Sequence, residues 1–468
     1  MISTDCWIRC AMRYEVIQTG AGRLMIVFAG WSTRPSLYRG YIRSGFDLMV
    51  VYDYSDVEFP DVDCLKEYRE ICVVAWSFGV AVAHRWLLSC PDLPITRTLA
   101  VNGTPWPVDD RRGIPCRVFG LTFRTLSERS VGEFRKRMFA VSDPMPDFEP
   151  VGVEHLRGEL ESISRMGVND PAREDDICVW DKVIVSKSDR IIPFAGQMEA
   201  WHGHPDMTVT GGAHFPDWTQ VMAMASVDKD SVERNFSHGA PTYDGAATVQ
   251  RAMAARLSEI WREVSSGRRI TDVVEIGPGT GLFTRAYLGW LRGANLEFWD
   301  LAAIGDDLPG KKRICDAELA VRGMADNSAD AIVASASVQW FNSLGRFLAE
   351  CGRVLRPGGQ VVISTFGRST FHELSGIITP AATYLDADGL ARLTPDAMEL
   401  TMSDDGRTAT VDFESASDLL RHMSRTGVNT SAASSGNIAA ARSIVRQRIT
   451  RLTYHPVYAI FTKTHPCS

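Results

Sequence analysis

Short apolar runs alternate with stretches of helical spacing through the first 220 residues of the chain. Strands that are apolar on both faces are typical of a parallel sheet covered by helices on both sides, so the first half is predicted to be an α/β domain. The interval 104–181 contains several helical patterns, and we expect it to form a lid over the carboxyl edge of the sheet. The six apolar runs are residues 24–30, 47–55, 71–77, 97–103, 182–188 and 207–212.

The alternation restarts after the charged stretch SVDKDSVERN, residues 226–235, which we interpret as a linker. A helix is predicted at about 245–264. Two domains, residues 1–225 and 236–468, also suit the length, because 468 residues exceed what one hydrophobic core usually supports. The strands predicted for the second α/β domain are residues 272–281, 295–301, 330–338 and 359–367.

Composition places the chain among soluble proteins. It is 45% hydrophobic and 23% charged, and it contains no run of about 18 apolar residues. Because the first residues lack a basic region followed by an apolar one, we expect a cytoplasmic protein with no membrane partner. The net charge of −7 argues against nucleic acid as the main partner. The ten cysteines include no C-x-x-C pair, so we expect no metal site.

A serine stands at a predicted turn from strand to helix. In VVAWSFGV, residues 73–80, Ser77 lies between an apolar strand and a segment of helical spacing. A nucleophile elbow needs that context, with small residues on both sides of the serine in the pattern G-x-S-x-G. Here Ala75 replaces the first glycine and Gly79 supplies the second. A helix N-cap is the alternative role for this serine.

An acid and a histidine follow in the order of an α/β-hydrolase triad. Asp189 comes directly after one predicted strand and His214 directly after the next. His214 would accept the proton of Ser77, and Asp189 would fix the histidine tautomer and stabilise the imidazolium. A turn residue and a loop histidine are the alternatives. Asp181 is less suitable as the acid because it precedes its strand.

The segment FAGWS, residues 28–32, ends the first predicted strand. An oxyanion hole needs two backbone donors, one after the nucleophile and one from an earlier loop, and Phe78 and Trp31 are the candidates. With the WSFG, SDRIIP and GGAHF segments, this loop resembles the BioG-type pimeloyl-carrier-protein methyl ester esterases of biotin synthesis over about residues 14–220. The resemblance implies an α/β-hydrolase with a helical lid that releases methanol and the free acid.

A glycine-rich loop begins the second domain. VVEIGPGTGLF places Glu275 before three glycines, Gly277, Gly279 and Gly281, whereas leucine stands where a dinucleotide fingerprint needs its third glycine. Glycines at these positions allow a tight turn and a close approach of the backbone to S-adenosylmethionine. A different kind of nucleotide-binding domain is the alternative.

Three further features favour a class I, Rossmann-like methyltransferase that uses S-adenosylmethionine. Asp300 ends the next strand, where a carboxylate can accept hydrogen bonds from both ribose hydroxyls. Asp316 and Ala317, in CDAE, fall where such enzymes contact adenine. LRPGG at 355–359 precedes another strand. Ser335, within the strand predicted at 330–338, is also a candidate contact with S-adenosylmethionine. We expect no metal in this reaction.

The second domain also resembles the BioC-type malonyl-carrier-protein O-methyltransferases of biotin synthesis, from about residue 236 to the carboxyl end. The resemblance is carried by FSHGAPTYDGAATVQRAMAARL, SASVQWF and LTYHPVYAIFTKT. It implies methylation of the free carboxylate of malonyl-acyl-carrier-protein. Tyr243, Trp340 and Tyr454 are candidate walls of the acceptor site, although aromatic residues at such spacings are more often core.

Two segments are basic although the chain is acidic. Residues 111–137 contain eight basic and two acidic side chains, and no acidic residue follows Asp418. Because carrier proteins are acidic, we predict that both segments are docking surfaces, and a solvated helix face is the alternative for each. The residues proposed for docking are Arg124, Arg135, Arg137, Arg442 and Arg446.

Together the two halves predict a bifunctional enzyme of biotin synthesis that acts on acyl carrier protein. Two alternatives remain open. The first domain can be a general carboxylesterase or thioesterase beside a methyltransferase, or a module that only docks the carrier protein.

Overall fold

The chain forms two compact units, residues 1–226 and residues 227–468. The structure is a computed structural model that describes residues 12–56, 63–89, 92–141, 143–166, 177–305, 307–378, 382–427 and 436–465. Residue 142 and residues 167–176 of the expected lid lie outside these ranges. In the described ranges, no helix combines the length and the apolar character needed to cross a membrane.

A seven-stranded sheet forms the core of the first unit. Its strands are β1 (Arg13–Ile17), β2 (Arg23–Phe28), β3 (Asp47–Tyr52), β4 (Glu70–Trp76), β5 (Ile95–Val101), β6 (Lys182–Ser186) and β7 (Met207–Thr210). They lie in the order β1-β3-β2-β4-β5-β6-β7, with β1 antiparallel to β3 and the other pairs parallel. Every residue of β4 and β5 is buried, which explains why these strands are apolar runs rather than alternating ones.

Helices connect the strands and cover the sheet. Three of them lie between β5 and β6, in the predicted helical interval, and α1 begins directly after β4. The helices are α1 (Phe78–Ser89), α2 (Cys116–Arg124), α3 (Glu128–Arg137), α4 (Val153–Arg165), α5 (Phe194–Ala200) and α6 (Trp218–Met224), with short 3₁₀ turns at Pro35–Leu37, Arg39–Tyr41, Asp63–Glu67 and Ile177–Val179. All six predicted strands of this half are confirmed.

A second seven-stranded sheet forms the core of the second unit. Its strands, together with those of a separate two-stranded sheet (β14 and β15), are β8 (Asp272–Ile276), β9 (Asn295–Asp300), β10 (Lys311–Ile314), β11 (Ala329–Ser335), β12 (Leu355–Phe366), β13 (Met398–Asp405), β14 (Ala409–Asp412), β15 (Arg451–Tyr454) and β16 (Pro456–Lys463). The large sheet has the order β10-β9-β8-β11-β12-β16-β13. The first five strands are parallel, and β16 is antiparallel to both of its neighbours.

The helices of the second unit include the predicted one, observed as α8. They are α7 (Lys229–Ala246), α8 (Thr248–Val264), α9 (Leu282–Tyr287), α10 (Ala317–Ala320), α11 (Leu344–Val354), α12 (Ala387–Arg392), α13 (Ala416–Arg425) and α14 (Gly436–Gln447), with 3₁₀ turns at Val321–Gly323, Val338–Trp340 and His372–Leu374. The glycine-rich loop joins β8 to α9. The four strands predicted for this half are confirmed as β8, β9, β11 and β12.

The linker predicted at residues 226–235 is wrong for most of its length, because α7 begins at Lys229. The Asp228 side chain caps this helix by accepting a hydrogen bond from the backbone N–H of Ser231 at 3.0 Å. Val232 is buried and packs with Trp340. The charged residues of this stretch therefore lie on a helix with one buried face.

Candidate functional site

Ser77 occupies a sharp turn between β4 and α1. Its φ of 59° lies in the left-handed region, which a non-glycine residue adopts only where the surrounding structure holds it. The following Gly79 packs directly on β2: an added Cβ would lie 2.3 Å from the carbonyl oxygen of Phe28. Ala75, by contrast, lies within β4 opposite Phe28 and Ala100 and is accommodated there. The turn therefore tolerates alanine before the serine but requires glycine after it.

The structure brings Ser77, His214 and Asp189 together. Ser77 Oγ lies 3.0 Å from Nε2 of His214, and Nδ1 of the same ring lies 2.8 Å from Oδ2 of Asp189. The side chains of His214 and Asp189 are fully buried, and Ser77 is only 4% exposed. Such a chain of contacts lets the histidine accept the serine proton while the carboxylate stabilises the resulting cation.

Asp189 is fixed by more than the histidine. Its Oδ1 accepts hydrogen bonds from the backbone N–H groups of Ile191 and Ile192 at 2.8 and 2.9 Å. Its Oδ2 also accepts one from Nε2 of Gln197 at 2.9 Å. These bonds hold the carboxylate in the orientation that His214 needs.

One of the two predicted backbone donors directly follows Ser77, and the other lies in a loop whose Gly30 packs on Trp76. Phe78 is the first residue of α1, and the first N–H groups of a helix have no partner within the helix. Trp31 lies in the turn after β2, and its indole Nε1 donates to the carbonyl oxygen of Leu156 in α4 at 3.1 Å. The indole of Trp76 donates to the carbonyl oxygen of His214 at 3.0 Å. Aromatic side chains thus fix the backbone around the triad.

Of the predicted docking residues in the first unit, Arg124 and Arg137 are exposed, at the ends of α2 and α3. Arg135 is not a free surface charge, so that expectation is wrong. Its guanidinium donates to the carbonyl oxygens of Ser32 at 3.0 Å and Glu149 at 3.3 Å, and it stacks on Phe148. Arg135 instead ties α3 to the turn that contains Trp31.

A cleft of about 440 Å³ lies in the second unit, at the carboxyl ends of β8, β9 and β11. The glycine loop forms part of its wall. Gly277, Gly279 and Gly281 all have positive φ, and an added Cβ would lie 2.6 Å from Ser337 at the first position and 2.5 Å from Leu308 at the third. The remaining predicted residues that line it are Asp300, Asp316, Ala317, Ser335, Tyr243 and Trp340.

Asp300 is held at the wall of this cleft. Its Oδ2 accepts from the N–H of Gly279 at 3.1 Å, and its Oδ1 accepts from the N–H of Ala302 at 3.0 Å. Burial raises the pKa of Asp300, and these backbone bonds act in the opposite direction. The loop and the carboxylate therefore form one preorganised unit, suited to the hydroxyl groups of a ribose.

Glu275 and Tyr454 do not line the cleft. The Glu275 carboxylate accepts hydrogen bonds from Thr284 at 2.7 Å and Tyr287 at 2.6 Å, and burial raises its pKa to about 7. The Glu275 side chain therefore binds to α9 and does not face the cleft. Tyr454 is 1% exposed, and its hydroxyl pairs with Nε2 of His422 at 2.8 Å.

Lys229, which belongs to no motif recognised in the sequence, also lines the cleft. Its Nζ lies 2.7 Å from Oε2 of Glu318 and 3.2 Å from Oδ1 of Asp316. Glu318 in turn accepts from the backbone N–H groups of Asn342 and Ser343, both at 2.8 Å. This ion pair joins the start of α7 to the Asp316 end of the cleft.

Each unit of the chain resembles a family of known proteins. Residues 12–223 match the family model described as pimeloyl-ACP methyl esterase BioG. The first unit belongs to the BioG family. Residues 274–363 match the model of a methyltransferase domain, and the parallel sheet with antiparallel β16 is that of a class I, Rossmann-like methyltransferase.

Individual relatives resemble one unit or both. Malonyl-[acyl-carrier protein] O-methyltransferase of Bacteroides fragilis (strain 638R) is 27% identical over 468 residues, covering 94% of this chain and 92% of that protein. Biotin biosynthesis bifunctional protein BioHC of Cellvibrio japonicus is 32% identical over 213 residues, covering 41% of each. The crystal structure of BioG from Haemophilus influenzae has 30% identity and a TM-score of 0.38, covering 43% of this chain and 94% of that chain. The Bacteroides relative therefore spans both the BioG unit and the methyltransferase unit.

Arg442 and Arg446, the predicted docking residues of the methyltransferase unit, are exposed on α14. Ile438 and Val445 are exposed on the same helix, at 68% and 49%. The helix therefore presents both basic and apolar side chains to solvent.

Proposed function

We propose that this chain makes and later removes a methyl ester on an acyl-carrier-protein substrate of biotin synthesis. The methyltransferase unit esterifies the free carboxylate of malonyl-acyl-carrier-protein, and the BioG unit hydrolyses the ester of the elongated pimeloyl product. Methylation makes chemical sense because a carboxylate is costly to bury in the apolar tunnel of a chain-elongating enzyme. The proposal is carried by the contiguous Ser77, His214 and Asp189 contacts in a unit of the BioG family.

In this proposal the BioG unit acts as an α/β-hydrolase, with a lid formed from within residues 104–181. Ser77 Oγ attacks the ester carbonyl while His214 Nε2, 3.0 Å away, accepts its proton. The N–H groups of Trp31 and Phe78 stabilise the oxyanion. The histidine returns the proton to the departing methanol, and a water molecule then cleaves the acyl-enzyme by the same route.

The methyltransferase unit binds S-adenosylmethionine in the cleft beside Gly277–Gly281. S-adenosylmethionine supplies the methyl group and the leaving sulfur. The buried Asp300 at the cleft wall fits a ribose, while Asp316 and Ala317 lie where they can contact the base. A carboxylate acceptor is already anionic at pH 7, so the chain needs no general base there. Trp340 and Tyr243 instead exclude water and orient the acceptor.

Acyl carrier protein is the expected partner of both units. Arg124 and Arg137 in the BioG unit, and Arg442 and Arg446 in the methyltransferase unit, are exposed and complement an acidic surface. Reversing the charge at Arg124 and Arg137 should raise KM for the carrier-linked ester and leave a small ester such as p-nitrophenyl acetate unaffected. Equal losses on both esters would contradict docking at these residues.

Complementation tests the whole proposal. The intact chain should restore growth without biotin to a host that lacks both activities, whereas Ser77→Ala and Asp300→Ala should each fail and should restore growth when supplied together. Growth with Ser77→Ala alone would overturn the esterase role. Labelling of Ser77 by a fluorophosphonate distinguishes an esterase from a module that only docks, and assays on carrier-linked and coenzyme-A-linked esters distinguish it from a general esterase or thioesterase.

A further inference from the structure

The turn after β2, which contains the Trp31 donor, is held by an unusual number of polar contacts. Thr33 Oγ1 donates to the carbonyl oxygen of Gly30 at 2.6 Å, and the N–H of Gly30 donates to the Tyr38 hydroxyl at 3.3 Å. Ser32 has a φ of 65°, in the left-handed region. A non-glycine residue in that region costs free energy, so the surrounding contacts must hold the turn in place.

Helix α4 holds the turn from outside. The guanidinium of Arg34 donates through Nη1 to the carbonyl oxygen of Thr33 and through Nη2 to Oε1 of Glu159, both at 2.9 Å. The side chains of Arg34 and Glu159 are 10% and 1% exposed. The Trp31 indole also bonds to the Leu156 carbonyl of α4. Helix α4 therefore contacts both Trp31, which supplies the donor, and Arg34, which bonds to the Thr33 carbonyl.

Several ionisable groups lie near Glu159 or act on it electrostatically. His155 Nε2, from the same helix, lies 3.6 Å from Oε1 of Glu159 and 2.9 Å from Oδ1 of Asp53. Asp53, which follows β3, also pairs with Arg13 at 3.2 Å. Two further groups complete the surroundings: the buried phenol of Tyr54 faces Glu159, and the Arg135 guanidinium of α3 lies near Arg34.

We propose that the buried pair of Arg34 and Glu159 positions the oxyanion hole of the BioG unit. The carboxylate orients the guanidinium, the guanidinium fixes the Thr33 carbonyl, and the turn then directs the Trp31 N–H toward the reacting carbonyl. This inference deepens the esterase proposal and rests on it. Neither side chain touches the triad, so both are positioning residues.

The pair also makes the position of the turn dependent on pH. Burial raises the pKa of Glu159, Arg34 acts to lower it and Asp53 to raise it, and the net result is a pKa of about 7. The carboxylate form that holds Arg34 most strongly is therefore populated as pH rises through about 7. Esterase activity should show the ionisation of Glu159 on the acid side of its pH profile.

Glu159→Gln tests the inference in the full-length chain, because glutamine keeps the shape of the side chain and removes its charge. We expect kcat to fall about 10- to 100-fold with little change in KM, on p-nitrophenyl butyrate and on pimeloyl-carrier-protein methyl ester, since loss of one oxyanion donor costs about 10²- to 10³-fold. The acid side of the pH profile should lose one ionisation. The matched control is Glu161→Gln, which removes an exposed pair with Arg165 on the same helix and should leave both measurements unchanged.

The inference would be overturned if Glu159→Gln had the same kcat and the same pH profile as the control Glu161→Gln. If Glu159→Gln does not fold, Arg34→Lys decides, because lysine keeps the charge but cannot donate to Thr33 and Glu159 in the same fork geometry. Arg34→Lys should lower kcat and retain the ionisation of Glu159, and an unchanged kcat would overturn the inference. An intact chain that neither hydrolyses these esters nor is labelled at Ser77 would instead overturn the esterase proposal, and this inference with it.

Discussion

Lys229→Met should destabilise the methyltransferase unit and weaken its binding of S-adenosylhomocysteine. The lysine side chain is only 12% exposed and lies between Glu318 and Asp316. Burial acts to lower the pKa of Lys229, but the two carboxylates outweigh it and raise the pKa above its usual value of 10.5. The lysine is therefore charged at neutral pH, and removing it leaves two carboxylates without their cation.

The size of the effect follows from the surroundings of the carboxylates. Removing one partner of a buried ion pair typically costs about 3–5 kcal/mol. Glu318 keeps two backbone donors in the variant, so we expect a value near the lower limit, about 3 kcal/mol. For a unit of this size, that loss lowers Tm by about 6–12 °C. The contribution of Lys229 is fully present below pH 10.5 and is lost as pH rises through its raised folded-state pKa.

Thermal unfolding of the full chain measures the stability, with the relevant transition identified by its shift on adding S-adenosylhomocysteine. Calorimetry gives the affinity for the same ligand. Lys311→Met, at an exposed position in β10, is the control and should change neither quantity. Lys229→Met with Glu318→Gln should recover part of the Tm, because less uncompensated charge remains buried. A Tm for Lys229→Met equal to that of the control would refute the reasoning.

Four other outcomes are expected. Asp189→Asn should lower esterase kcat about 10⁴-fold by favouring the wrong tautomer of His214, and retention of more than a tenth of the activity would contradict that role. Gly79→Ala should abolish fluorophosphonate labelling because its Cβ would clash with Phe28, whereas Ala75→Gly should label normally. Glu275→Gln should raise Tm relative to the parent chain at pH 8 but not at pH 4.5. A carboxyl whose folded-state pKa is raised to about 7 contributes stability at pH 4.5, and this stability is lost as pH rises to 7. An equal Tm difference between variant and parent at both pH values would contradict this. Finally, pimeloyl-carrier-protein methyl ester should be hydrolysed about two orders of magnitude more efficiently than the malonyl ester, because four extra methylenes add roughly 3 kcal/mol of apolar burial, and comparable kcat/KM values would contradict it.

The central strands could be predicted because burial on both faces leaves a continuous apolar run. Of the edge strands, β7 was predicted, but β1, β10 and β13 were not. All four residues of β10 are exposed, and β13 alternates between exposed and partly buried positions along most of its length. Neither strand has the apolar run that the prediction used. The order Ser77, Asp189, His214 was visible because each residue directly follows a strand, and parallel strands bring their carboxyl ends to one edge of the sheet.

Side-chain contacts that the local sequence pattern does not indicate explain what could not be predicted. Lys229 stands in a charged stretch that is typical of a linker, and its partner Glu318 is 89 residues away. Arg135 belongs to a basic segment and was therefore expected at the surface, but its guanidinium donates hydrogen bonds to backbone carbonyl oxygens. Glu275 precedes a glycine loop that reaches the cleft, but its own side chain points to α9. In each case the partner, rather than the local pattern, determines the role of the residue.

The two small residues that flank Ser77 are not equivalent, and this has a consequence for recognising related enzymes. Alanine fits within β4 at position 75, whereas at position 79 only glycine avoids the backbone of β2. A search of genomes that demands glycine at both places would discard this chain and any relative built like it. A pattern that allows any small residue first and insists on glycine second would retain them.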